Sequence, residues 1–418
     1  MAMSVQVVAA LRGACWLRRR SACSSRRRLS SAAAGGLAWS GASSWSQRWG
    51  AAGGSALDGV SEVSGVARMP SLSRGAVRDL RRAADIVVGA TGPASELSGC
   101  ALGLVLDASA ACGDFDSARV ALSELSRVRG AGPEVRLASE RLALLRLSPG
   151  GDFFDRAGAL LSSSDSVGAS LWSPCDAPLL ELARCSLSGP GSGAYAALAR
   201  LSAVLDGAAF SGLVAADAGS KSSLRDGAAA ESPRAVQRLA RGLLGRAVLS
   251  PEDAWSREQR SKDLSRALEA LEALEAAASS WASARGLGSA GFSAASRISE
   301  MSAAQTSRAT TQALLGVTLG ALARELHLQS KAVSSEGLYR SALAKLEGCV
   351  AGGSFLQHCV KPSLGLVALD YGRLLDEWDK RGGDALKVRE RHPAAEPRSH
   401  APLLLDLAPW SVAERVLE

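Results

Sequence analysis

Four imidazoles occur in 418 residues: His327, His358, His392 and His400. General acid–base catalysis needs such a group facing a second polar one, and His358-Cys359 is the only adjacent His/Cys pair. No recognisable third member and no strand-to-helix turn accompanies that pair, so nucleophilic catalysis is not expected of it. His392 and His400 fall in a Pro- and charge-rich stretch at about 389–403, where solvated surface histidines are the ordinary expectation. Of the eight cysteines, Cys15 and Cys23 lie near the N-terminus, and Cys100, Cys112, Cys175, Cys185, Cys349 and Cys359 form no C-x-x-C pair. Zinc and redox-dithiol chemistry are therefore not indicated, and thiols packed as small apolar side chains are expected. No phosphate-cradling G-x-x-x-x-G-K-[ST] and no persuasive G-x-S-x-G occurs. The expectation is a protein with no catalytic residues, no cofactor and no metal.

Two patterns could contact a partner instead. Glu269, Glu272 and Glu275 recur every three residues, so on a helix they form an acidic face opposite Leu264, Leu268 and Leu271. Such a series is either a solvated face or a patch that receives a basic partner segment. Trp255, Trp281 and Trp378 lie at or near expected helix ends. Most would pack, and an exposed one would anchor a partner.

The elements carrying these residues are expected to be helical. Ala, Leu, Arg and Glu dominate, while strand-favouring residues are scarce, and Asn is absent altogether. Apolar residues recur at helical spacing in four stripes. The first is Ala118, Ala121, Leu122 and Leu125; the second is Ala194, Leu198, Leu201 and Leu205. Leu264, Ala267, Leu268, Leu271 and Leu274 form the third, and Tyr339, Ala342, Leu343 and Leu346 the fourth. Gly113, Gly150-Gly151, Gly189-Pro190-Gly191, Pro233 and Gly382-Gly383 punctuate them. Polar interruptions are expected at about 207–232, 249–262, 280–306 and 389–403. Ser411 and Glu414 have capping-box spacing, which predicts a short final helix after Pro409. The longest apolar run, Ala313 to Ala323, is far short of the ~20 residues of a membrane span, so no transmembrane segment is expected.

The charge is unevenly placed. Eight arginines and no acid precede Asp58, whereas the remaining 361 residues carry 40 basic and 41 acidic side chains. An Arg- and Ser-rich, acid-free leader with an apolar stretch from Val5 to Leu11 has the properties of an organellar transit peptide. Arg27-Arg28-Leu29 before Ser30-Ser31 looks like a mitochondrial processing site; a plastid is the alternative address. The leader is assigned to 1–29, a low-complexity Ser/Gly/Ala segment to 30–72, a helical domain to 73–388, and a Pro-rich linker with a short helix to 389–418.

Two segments within the helical region resemble each other: Gly113-Asp114-Phe115-Asp116-Ser117-Ala118 and Gly151-Asp152-Phe153-Phe154-Asp155-Arg156-Ala157. Their terminal alanines lie 39 residues apart, and further helices follow near one and two such periods, at Ala196, Ala267 and Ala342. A period of 20–50 residues points to stacked helical hairpins. Ser335, Tyr339 and Ala342 resemble the second helix of the tetratricopeptide-repeat (TPR) superfamily, with a small residue, a bulky one four later and a small one three further. Ala118, Leu122 and Leu125 follow the same pattern loosely, Gly-Asp-Phe is similar to the family's interhelical turn, and Leu315-Gly316 to its first helix. Ala157 and Leu161 occupy the corresponding packing positions after the second Gly-Asp-Phe. From Gly316 to Ser335 this chain is about seven residues longer than the family's hairpin. The resemblance implies an all-α superhelix, or solenoid, whose function is to bind a protein or peptide, with assistance in assembling or maintaining an organellar complex as the further expectation.

Residues 113–135 also resemble the pentatricopeptide repeat, which would imply an organellar RNA-binding protein. Its base-reading first-helix position falls near Leu104, which cannot hydrogen-bond a base. A near-neutral chain after the leader offers little counterion release on RNA, so nucleic acid is the alternative partner rather than the expected one.

Overall fold

Short polar side chains start the first helices. Ser73 Oγ accepts the Ala76 N–H at 3.2 Å, and Ser95 Oγ accepts those of Leu97 and Ser98 at 3.1 and 3.3 Å, satisfying donors that a helix N-terminus otherwise leaves open. The turn at Gly113-Asp114 needs a positive φ, which glycine supplies at 68°. The Asp114 N–H then donates to Ser109 O at 2.9 Å, and its carboxylate accepts the Ser117 N–H at 3.2 Å. One helix ends and the next begins within three residues.

The computed structural model describes residues 72–405, except 130–132, 148–150, 163–174, 189–191, 208–232, 252–254, 285–293, 352–355, 379 and 394–399. The leader, the 30–71 segment and the helix expected after Pro409 lie outside the described residues. Within them the chain is all-helical. In order come α1 (Arg74–Thr91), α2 (Glu96–Ala111), α3 (Phe115–Arg129), α4 (Pro133–Leu144) and α5 (Gly151–Ser162). Then follow α6 (Asp176–Ser188), α7 (Ser192–Asp206), α8 (Pro233–Leu249), α9 (Arg257–Ala284) and α10 (Ala294–Leu328). The last are α11 (Ala332–Ala351), α12 (Gln357–Asp376), α13 (Gly382–Arg391) and the single turn α14 (Ala401–Leu404). No helix is long and apolar enough to cross a membrane among the described residues.

Consecutive helices pack on one another from α1 through α13, and α6 also packs on α8. Two helices depart from that pattern. The 35-residue α10 packs on α2, α8 and α12 as well as on its chain neighbours α9 and α11. The turn α14 returns to α6, α8 and α12. A stack in which each repeat touches only its neighbours is therefore not what these two elements make. The apolar side chains fall into two clusters, one from α1 to α4 and one from Leu144 to Leu405, and α10 enters both, with Ile298 in the first and Ala309 to Ala323 in the second.

The polar interruptions expected at 249–262 and 280–306 are narrower than their composition suggests. Helix α9 already runs from Arg257 and α10 from Ala294. Within α10, Ser302, Thr311 and Thr318 return their hydroxyls to the carbonyls of Ile298, Ser307 and Leu314 at 2.8–2.9 Å. They can then be buried inside a helix despite being polar. Gln237 of α8 completes the seam, donating to Ser307 O at 2.9 Å and Thr311 Oγ1 at 3.0 Å.

Two glycines let α10 approach its neighbours. A Cβ on Gly316 would lie 2.7 Å from Leu346 Cγ and 3.3 Å from Ala342 O of α11, and one on Gly320 would lie 2.6 Å from Val367 Cγ2 of α12. Alanine at a helix-interior glycine ordinarily gains about 1 kcal/mol, but overpacking costs about 1–3 kcal/mol. Gly316→Ala is accordingly expected to lower the urea midpoint, the reverse of the propensity effect, whereas Gly337→Ala, with nothing within 4 Å, should raise it.

Candidate functional site

The buried thiols are held in their protonated forms. Burial raises the Cys359 thiol to about 12 and Cys349 to about 11, far from the thiolate that nucleophilic attack requires. Next to Cys359, His358 is pushed below its ordinary value by burial and then by Lys361 and Arg146. Its ring lies 5.8 Å from that of Phe115, tilted at 51°. Cys112 is likewise raised by burial, and Gln305 Nε2 donates to its sulfur at 3.8 Å. These thiols fill space, as their sequence context predicted. No group of three or more His, Cys, Asp or Glu that could hold a metal ion occurs among the described residues.

The histidines expected at the surface of the 389–403 stretch are engaged instead. His392 Nε2 lies 2.8 Å from Glu347 Oε1, and His400 Nδ1 lies 2.9 Å from Ser363 Oγ. His400 is drawn in because Leu403, Leu404 and Leu405 behind it are buried against α6, α8 and α12. Neither histidine is thus a free surface side chain.

The acidic series does not act as one unit. Glu269 and Glu272 are exposed, whereas Glu275 is partly buried and accepts Lys345 Nζ of α11 at 2.7 and 2.9 Å. Burial and then the neighbouring Glu275 charge hold the Glu272 carboxyl above its ordinary value. A basic partner segment would find two open carboxylates and a third already bridged to the adjacent helix.

The residues expected to pack between repeats lie on α3, α5 and α11. Ala118, Leu122, Leu125 and Ala157 are buried, and Leu161 is partly so at the edge of the larger cluster. Ser335, Tyr339 and Ala342 are buried along the α10–α11 seam. There the Ser335 hydroxyl donates to Ala323 O at 2.7 Å across the hairpin, and the Tyr339 ring stacks on Tyr371 of α12 at 5.6 Å. A small residue admits the neighbouring backbone, and an aromatic fills the wider gap one turn on.

A polar network joins α11 to α12 and to the turn before α13, and was not anticipated. Glu336 Oε1 accepts Arg381 Nη1 at 2.8 Å, Arg340 Nη2 at 2.6 Å and the Tyr371 hydroxyl at 3.2 Å. Burial opposes ionisation of Glu336, yet these donors hold its carboxyl below the ordinary value. His327 Nε2 meets Glu377 Oε2 at 2.8 Å nearby in the chain, and Arg381 lies over the Trp378 ring at 5.4 Å. The other tryptophan in view, Trp255, packs under Arg246 at 4.8 Å, so neither is a bare anchor. Apolar side chains left open in this C-terminal part are Leu328, Val333 and Leu386; Val333 is the most exposed, at 78%.

No protein-family model, curated protein or solved structure matches this chain. The geometry alone carries the functional reading.

Proposed function

We propose that this chain is a non-enzymatic, TPR-like helical scaffold that holds a protein or peptide partner inside an organelle, the mitochondrion before the plastid. The α10–α11 seam carries the reading: Gly316, Ser335 and Ala342 allow close approach while Tyr339 fills the gap, the division of labour that the TPR resemblance implies. Thiols held protonated by burial are consistent with binding rather than catalysis. Exposed Val333, Leu328 and Leu386 offer apolar contact to a partner.

The test is crosslinking of the tagged full chain in organelles. A defined protein complex that resists ribonuclease and is lost on Val333→Asp supports the scaffold. Enrichment of specific RNA, abolished at high salt, overturns it in favour of the pentatricopeptide-like reading. A fluorescent fusion of residues 1–60 is expected to enter mitochondria; diffuse cytosolic fluorescence would refute the organellar address.

A further inference from the structure

The C-terminal turn is held by three buried leucines and one histidine hydrogen bond. Leu403, Leu404 and Leu405 are buried at 3%, 1% and 3% exposure, and α14 contacts α6, α8 and α12, none of them its chain neighbour. The groove is made by a missing side chain. At Gly245 of α8, Leu179 of α6 occupies the place where a Cβ would stand, and Leu404 Cδ1 lies 3.8 Å from the same point. A four-residue helix has little stability of its own, so these contacts and the His400–Ser363 bond at 2.9 Å are what hold it.

We propose that residues 400–405 form a proton-released latch, which closes the α6/α8/α12 groove while the His400 ring is neutral and leaves it when the ring is protonated. The ring sits at the head of the segment, partly buried. Arg324 of α10 is the charged group that acts on it, and its hydrogen-bond partner, Ser363 of α12, is uncharged. Burial, then the Arg324 charge, lowers His400 to about 4. A protonated ring would put a second cation near Arg324, whose charge also acts on the Asp370 carboxyl of α12.

The sign follows from linkage. The released ring titrates near 6.5, so the open segment binds more protons than the closed one between 6.5 and 4. Closure is complete above about pH 6.5 and weakens as pH falls through that window. At pH 5 the closing equilibrium is expected to be about thirtyfold less favourable than at pH 7.5.

Hydrogen exchange on the full chain tests this, with rates at pH 7.5 and 5.0 each corrected for the intrinsic rate. Protection of the Leu403–Leu405 amides should fall about thirtyfold relative to those of α1–α3. In His400→Gln, whose amide can still bond Ser363 but cannot titrate, the ratio should stay flat. An unchanged ratio in the wild type, or the same fall in His400→Gln, overturns the latch. If the variant does not fold, the His400 Cε1–H resonance of the wild type decides: a midpoint well below 6.5 supports the proposal, and one near 6.5 refutes it.

Discussion

Tyr339→Ala is expected to destabilise the protein by about 3–5 kcal/mol, the range for deleting a buried aromatic, seen as a lower urea midpoint. The residue is 0% exposed and stacked on Tyr371. Its loss would open a void between α10, α11 and α12 that Ala342 and Gly316 are too small to fill. The phenol oxygen, however, has no hydrogen-bond partner among the described residues, and burial pushes its ionisation well above the ordinary range. A desolvated, unsatisfied hydroxyl costs about 1–3 kcal/mol. Tyr339→Phe is therefore expected to match or exceed wild-type stability. A large loss on Tyr339→Phe would mean that the hydroxyl has a partner and that the ring is not acting by volume alone.

Asp263→Ala should be comparably damaging for a different reason. Arg246 of α8 and Asp263 of α9 are both at 5% side-chain exposure, joined by bonds of 2.8 and 2.7 Å from Nε and Nη2. The Trp255 indole N–H donates to the same carboxylate at 3.1 Å. Removing Asp263 leaves a buried guanidinium with a 3.5 Å contact to the largely exposed Asp206 and the face of the Trp255 ring, and breaking such a pair costs about 3–5 kcal/mol. The paired replacement Arg246→Met with Asp263→Leu should recover most of that loss, since well-packed apolar residues often equal or better a buried ion pair. Thermal unfolding of the single and double variants measures both; a double variant as unstable as Asp263→Ala would assign the loss to shape instead of charge.

The helical class was legible because the relevant information is local. The stripes at Ala118–Leu125, Ala194–Leu205 and Tyr339–Leu346 repeat at 3.6 residues, and each buries the face so marked. Ser335, Tyr339 and Ala342 were readable for the same reason. What escaped notice was set by distant partners. Nothing around Glu275 announces Lys345, 70 residues away, and nothing around Arg246 or Asp263 announces that the two charges are buried together. The first half of α10 was read as an interruption because serines and threonines look solvated until their hydroxyls are seen returning to the preceding turn. His400 was misjudged because proline and charge suggest a surface, although Leu403-Leu404-Leu405 carried the contrary signal.

Helix α10 also constrains how this chain can be made. The cluster formed by α1 to α4 is completed by Ile298, which leaves the ribosome about 160 residues after Ala138, on the order of ten to thirty seconds later at typical synthesis rates. Throughout that interval the nascent N-terminal helices present an unfinished apolar surface. Chaperone dependence during translation, and aggregation of fragments that stop before Ile298, are the practical consequences.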